Sequence, residues 1–262
     1  MARLRTAPIA VLTMLTLAAA SALFASPAGA AKKPATITVM VTNDDGVSSP
    51  GLDALVEALR TVKNTKVVVV APATNQSNTG SKTTPGTLVT QSATTPSGYE
   101  ATTVQGFPAD TVTAALDQLG VKPNVVMSGI NTAQNLGSGT VLSGTIGAAM
   151  MAAKRGIPAV AFSQGVGADQ QYDSTGKLAI AWLAKHRAAL EKKPKRAPTT
   201  IDNYNVPNCP SGKSRGVRMV KTAPDVVGAI AGVDCTATGP KPTTDIQAFN
   251  EGYAAVAQLP VS

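Results

Sequence analysis

The sequence predicts an α/β domain on a mostly parallel sheet. Apolar runs of strand length recur at Thr36–Val41, Lys66–Ala71, Asn124–Met127 and Ile157–Ser163. Helical spacing follows most of them, and a polar or glycine-rich loop leaves the C-terminal end of the first three. Open α/β sheets bind their ligands at that edge.

The first run alternates with β-branched residues and reads as a buried strand. It ends at Thr42-Asn43-Asp44-Asp45-Gly46-Val47. Leu52, Leu55, Val56 and Leu59 then mark a helix, with Pro50 suited to its first turn and Ser48 or Ser49 to its cap. Lys66–Ala71 is continuously apolar, as expected of a strand covered on both faces. A polar loop runs from Ala73 to Pro85 and carries Asn75, Gln76 and Ser77. Thr87–Gln91 and Glu100–Val104 read as a hairpin around Thr95-Pro96-Ser97-Gly98. Pro108 opens a helix in which Asp110 complements the N-terminal dipole. The strand Asn124–Met127 runs into a loop, Ser128-Gly129-Ile130-Asn131-Thr132. Ser143-Gly144-Thr145 opens a helix to about Arg155. Lys177–Leu190 is helical, Lys192–Pro198 is a linker, and Thr199–Val206, Val217–Val220 and Tyr253–Leu259 are further strands. Thr222–Pro242 is loop-rich.

The chain has 262 residues, enough for one sizeable α/β domain. Residues 1–30 form a secretory leader: Arg3 and Arg5 precede an apolar run, and Ala28-Gly29-Ala30 is a small-residue cleavage site with the cut expected after Ala30. The apolar run is long enough that an uncleaved anchor is the alternative, although no stable membrane anchor is expected. The domain is then 31–262, with a core over 36–190 and a β-rich extension over 199–262. Without Arg3 and Arg5, 21 Lys and Arg face 15 Asp and Glu. That mild basicity suits anionic substrates, whereas 3% aromatics are too few for nucleic-acid stacking, and no duplex binding is expected. Cys209 and Cys235 are the only cysteines and read as one disulfide in an exported chain. Closing a loop of about 25 residues, it stabilises by roughly 3 kcal/mol in the chain-entropy model.

Adjacent acids such as Asp44 and Asp45 repel, and they persist together when a cation or a shared proton separates them. Alone, the pair also reads as a solvated Asp-Asp-Gly turn. Oxygen ligands on a tight turn favour Mg²⁺, Mn²⁺ or Ca²⁺. Ser77 and Asn131 leave the same sheet edge and are candidate oxygen ligands. Ser143-Gly144-Thr145 offers free N–H groups at a helix N-terminus, which suits phosphate, although tight packing explains such glycines equally. Cation plus anion cradle is what phosphate-ester hydrolysis needs. The sole histidine, His186, lies on a helix far from any nucleophile loop, which disfavours a serine hydrolase at Ser128 or Ser143.

The motifs TNDDG (42–46), VVAP (69–72), NQS (75–77), G-x-P-A-D (106–110), VVMSGIN (125–131), NLG (135–137), SGTIGAAM (143–150) and GIPAVAFS (156–163) resemble the survival protein SurE family of metal-dependent 5′/3′-nucleotidases, or acid phosphatases. The resemblance implies a Rossmann-like, three-layer fold. It implies one divalent ion on Asp44, Asp45, Ser77 and Asn131, with either aspartate as nucleophile or base. It places Gly129, Asn131, Ser143, Gly144 and Thr145 near the phosphate of a nucleoside monophosphate. Ser138-Gly139 replaces residues that are usually acidic in the family, and Thr111 stands where a cysteine is frequent. A homodimer is the implied assembly, although Val220–Thr244, a region the family uses for subunit contacts, is short here. The expectation is a secreted, metal-dependent phosphomonoesterase. The alternative is a non-catalytic secreted protein that binds nucleotide or phosphate on the same fold.

Overall fold

The alternation in the first strand sets the layers. In β1 (Ile37–Thr42), Ile37, Val39 and Val41 face one side of the sheet and Met40 the other. The computed structural model describes Met1, residues 35–192 and residues 196–261. The expected leader beyond Met1, its cut after Ala30, and residues 193–195 of the expected linker lie outside them.

On the first side, β1 packs against α1 (Pro50–Arg60) through Leu52, Leu55, Val56 and Leu59, and α4 (Tyr172–Leu190) adds Trp182 and Leu183. Pro50 opens α1 and Ser49 caps it, accepting from the Leu52 N–H at 3.4 Å. On the second side, Met40, Val70 and Val126 meet α2 (Pro108–Thr113) and α3 (Gly144–Lys154). The result is a three-layer α/β fold. α4 begins five residues before the expected Lys177, because the polar stretch preceding it carries no apolar periodicity.

Among the described residues nine strands form one sheet. They are β1, β2 (Thr65–Pro72), β3 (Thr90–Thr94), β4 (Glu100–Val104), β5 (Val125–Asn131), β6 (Ala159–Gln164), β7 (Thr200–Val206), β8 (Val217–Met219) and β9 (Ala254–Pro260), in the order β3-β4-β2-β1-β5-β6-β7-β9-β8. The six strands from β4 to β7 in that order run parallel, while β3 and β9 each lie antiparallel to their inner neighbours, β4 and β7. The chain steps outwards from β1 through β2 to one edge, then crosses back to β5 on the other flank of β1. The strand order therefore reverses between β1 and β5, and a crevice opens there at their C-terminal ends.

Two strand boundaries correct the sequence reading. Ser128 to Asn131 belong to β5, not to a loop, and the register shifts between Ser128 and Asn131. Every residue of this stretch is buried, so the small and polar side chains that suggested a loop are covered by β1 and β6. The hairpin begins at Thr90, not Thr87, with Gly98 N–H closing its turn on the Thr95 carbonyl at 2.8 Å.

The C-terminal part joins the same sheet through β7 and β9, and carries a short helix, α5 (Asp245–Asn250), within a third apolar cluster of Leu136, Ile246, Phe249 and Tyr253. Cys209 and Cys235 form the expected disulfide. Among the described residues no helix is long and apolar enough to cross a membrane.

Candidate active site

The turn after β1 closes on itself. Asn43 donates its Nδ2 to the Gly46 carbonyl at 3.1 Å and accepts from the Gly46 N–H at 3.2 Å. Gly46 has φ +96°, and a side chain there would meet the backbone of Thr74. The Gln76 N–H donates to the Asp44 carbonyl at 2.7 Å and the Val47 N–H to the Pro72 carbonyl at 3.0 Å, so this turn is fastened to the loop that follows β2. That loop is tied at its far end by Asp110. Its buried carboxylate accepts from the Thr84 N–H at 3.0 Å, the Thr84 hydroxyl at 2.7 Å and the Phe107 N–H at 2.8 Å. Asp110 thus caps α2, as its place in the sequence suggested, and also fixes the loop that carries Ser77.

Asp44 is 3% exposed and sits on the N-terminus of α3. The Thr145 hydroxyl donates to its Oδ1 at 2.6 Å. Burial raises its pKa above the ordinary carboxylate value, and Thr145, with the backbone N–H groups of Asp44, Thr145 and Gly144, opposes that rise. A Cβ on Gly144 would stand 2.7 Å from the Asp44 Cβ, so glycine is what allows the carboxylate to approach the helix end. The helix terminus that reads as an open phosphate cradle is therefore partly engaged in seating Asp44. Ser143 caps α3 through its Oγ, which accepts from the Ile146 N–H at 3.2 Å.

Asp45 is half-buried. Its carboxylate accepts from the Thr132 N–H at 3.2 Å and the Thr132 hydroxyl at 3.3 Å. Burial first, and then the Asp44 charge, push it up to about 6 against the two Thr132 bonds. Among the described residues no Lys, Arg or His forms an ion pair with either aspartate. Asn131 donates its Nδ2 to the Ala133 carbonyl at 2.6 Å, leaving Oδ1 as its remaining acceptor. Tyr172, which the sequence does not single out, has a buried hydroxyl without a partner and feels the charge of Asp45.

A cavity of about 550 Å³ gathers Asp44, Ser77, Asn131 and Ser143 with Thr132 and Asn135. Asp45, bonded to Thr132, does not line it. Thr145 is fully buried and spends its hydroxyl on Asp44. Gly129, expected near phosphate, does not line the cavity either. It is buried in β5 with φ +139°, and a Cβ there would stand 2.3 Å from the Phe162 carbonyl oxygen, so its absence of side chain serves strand packing. Thr111 pairs its hydroxyl with that of Thr42 at 2.7 Å, beneath the turn. His186 stacks on Trp182 at 4.1 Å and lines a different hollow with Lys122, Pro123 and Pro158, which precede β5 and β6 at the opposite edge of the sheet. It does not meet Ser128 or Ser143.

Among the described residues no three His, Cys, Asp or Glu side chains gather as a metal-holding group. The candidate set instead combines two carboxylates with a hydroxyl and an amide, an all-oxygen set suited to a hard cation. Two neighbouring acids, one buried and one half-buried, without a basic partner are what such a cation would neutralise.

Residues 39–227 match the model of the family described as survival protein SurE. The chain is 36% identical over 189 residues to the 5′-nucleotidase SurE of Polaromonas naphthalenivorans, covering 70% of each chain. It is 32% identical over 240 residues to the 5′/3′-nucleotidase SurE of Yersinia pseudotuberculosis, covering 86% of this chain and 90% of the relative. The crystal structure of the Sure protein from Aquifex aeolicus superposes with a TM-score of 0.69 at 27% identity, over 86% of this chain and 94% of that one.

Proposed function

The chain belongs to the survival protein SurE family and with it to the phosphoric monoester hydrolases, and from that premise we propose that it is a divalent-metal-dependent 5′/3′-nucleotidase acting outside the cytoplasm. The single observation that carries the site assignment is one cavity lined by Asp44, Ser77, Asn131 and Ser143 at the reversal of the strand order.

The residues fit a hard cation on Asp44, Asp45, Ser77 Oγ and Asn131 Oδ1. Such an ion, Mg²⁺ or Mn²⁺ first and Ca²⁺ next, would supply Lewis acidity at phosphorus and lower the pKa of bound water. The chain's own residues do the rest. The α3 N-terminus seats Asp44 as the carboxylate through Thr145 and Gly144. Thr132 orients Asp45. The negative ester faces Ser143 and the positive end of the α3 dipole. The tie from Asp110 to Thr84 holds the Ser77 loop in place, so the geometry need not be assembled at each turnover.

The extracytoplasmic setting is supported by the leader pattern of residues 1–30 and by the Cys209–Cys235 disulfide. The test is phosphate release from 5′-AMP and 3′-AMP by protein beginning at Ala31, with Mg²⁺, Mn²⁺, Ca²⁺ or EDTA. Release that requires the metal and disappears in Asp44→Ala supports the reading. Release that survives EDTA, or none with any metal from folded protein, overturns it.

A further inference from the structure

The cavity that holds the candidate ligands has a second half with a different chemistry. Besides Asp44 and Ser77 it is lined by Leu142, Val166, Val226, Ala229 and Ile230. Four of these are open to solvent: Ile230 is 92% exposed, Val166 61%, Leu142 58% and Val226 52%. Leaving such a cluster in water forgoes the free energy of burial. The segment is nevertheless fastened in place. Gln134 donates to the Ala229 carbonyl at 2.8 Å, Asn250 donates to the Gly228 carbonyl at 2.9 Å, and the Ser138 N–H donates to the Asp225 carbonyl at 3.1 Å. Gly137 and Gly139 allow it to lie close: a Cβ on Gly137 would stand 1.9 Å from the Asp225 carbonyl oxygen, and one on Gly139 would stand 3.2 Å from the Val226 side chain.

The polar side chains near these residues are partly committed. Gln134 accepts from the Val166 N–H at 3.1 Å as well as holding Ala229, and Asn135 donates its Nδ2 to the Ser163 hydroxyl at 2.9 Å. The contact offered here is therefore mainly aliphatic. Gln134, Val166 and Ile230 also line an adjoining hollow of about 460 Å³, so the shelf has room beyond its far end.

We infer that Leu142, Val166, Val226 and Ile230 form an apolar subsite for the leaving alcohol of the phosphate ester, which ranks substrates by the apolar area of that alcohol. The occupant follows from continuity: the phosphoryl end of a substrate lies at Asp44 and Ser143, and the remainder of the molecule extends along the same cavity. A nucleobase presents such an area on its faces, and so does an aryl group or an alkyl chain. The inference rests on the phosphomonoesterase reading of the site.

The test uses n-propyl, n-butyl, n-pentyl and n-hexyl phosphate. Their leaving groups are chemically alike, so kcat/KM reports contact with the protein and not reactivity. For the wild-type protein with its metal, kcat/KM rises about two- to fourfold per methylene, from partial to full removal of each from water. In Ile230→Ser and Val226→Ser that ratio falls to near one. Val89→Ser, an equally open valine outside this cavity, keeps the wild-type ratio. Ile230 is too exposed for its replacement to disturb the core, and an unchanged melting temperature confirms that each variant is folded. A flat wild-type series, or a slope that survives in both rim variants, overturns the subsite while leaving the phosphatase intact. Absence of turnover on every ester overturns the reading of the site itself and the subsite with it.

Discussion

At the floor of the crevice, residues 42–46 are held by bonds to their carboxylate and amide side chains. Asn43 closes the turn, Thr132 just after β5 holds Asp45, and the N-terminus of α3 receives Asp44. At the rim, residues 225–231 are held by their main-chain carbonyls, which accept from Gln134, Asn250 and Ser138. The neighbouring chain is tied by the Cys209–Cys235 bond and by Asp245, whose carboxylate accepts from Gly137 N–H at 2.9 Å and Ala223 N–H at 2.8 Å. The floor is polar and covered, the rim apolar and open. One molecule thus separates the part that must keep a charge pattern from the part that can vary with the substrate.

The largest effect that sharpens this contrast is expected at the floor. Asp44→Ala should lower kcat/KM for 5′-AMP by about 10³-fold or more, the scale of losing a member of a catalytic unit, while the far-ultraviolet spectrum stays that of the wild type. Gly144→Ala comes next. Its methyl would displace Asp44, lowering activity by roughly 10²-fold, the cost of misplacement by about an ångström, and destabilising by about 1–3 kcal/mol as over-packing does. Denaturant titration and phosphate release together separate the two effects.

At the rim the order reverses, with stability falling and chemistry persisting. Cys209→Ser with Cys235→Ser should cost about 2–4 kcal/mol of unfolding free energy, and dithiothreitol should reproduce that loss in the wild type. Turnover of n-propyl phosphate at 25 °C should stay within a fewfold, because no floor residue depends on the bond. A large loss of turnover in the folded double variant would erase the distinction between the two regions.

The smallest effect lies outside both regions, at Asp53 on α1. It accepts from the Ser97 hydroxyl at 2.6 Å and from Thr95, fastening the hairpin turn to the helix. Burial raises its pKa, but these bonds and Arg60 outweigh it and hold the carboxylate below its ordinary value. The folded state therefore gains stability above pH 4 that is lost as pH falls through the lowered value. Asp53→Asn should cost about 1 kcal/mol at pH 7, and the difference from the wild type should vanish near pH 2 in urea titrations.

The contrast also explains what the residues alone made legible. The floor was readable because its signals are local. A β-branched strand, an Asn-Asp-Asp-Gly turn and a Pro-led helix are adjacent in sequence, and the family resemblance fell on the same residues. Asn131 was placed correctly at the sheet edge although its stretch was taken for a loop, since a fully buried strand end with Ser and Gly shows no alternation. Thr145 and Gly144 were read as phosphate donors, and their engagement with Asp44 follows from a crossing of about 100 residues that no local pattern encodes. Tyr172 gave no signal because its importance comes from lying beside Asp45, again through tertiary contact. α5 was missed for being six residues long, too short for periodicity to register, although Thr244 caps it by accepting from the Gln247 N–H at 3.3 Å. The rim was legible only as composition, because it lies in turns that carry no strand or helix periodicity.

The position of β1 in the middle of the sheet has a consequence for how the protein comes into being. β1, the first strand among the described residues, is flanked by β2 on one side and β5 on the other. As the chain emerges, one row of β1 backbone groups finds its partner once residue 72 is available, while the other stays an open edge until β5 is complete at Asn131. Over those intervening residues the nascent chain carries an apolar, unpaired edge of the kind that recruits other strands. Asp44 and Ser77 are already present by then, but the crevice has only one wall. A helper that shields this edge during synthesis would therefore act on the same strand that leads into the two aspartates.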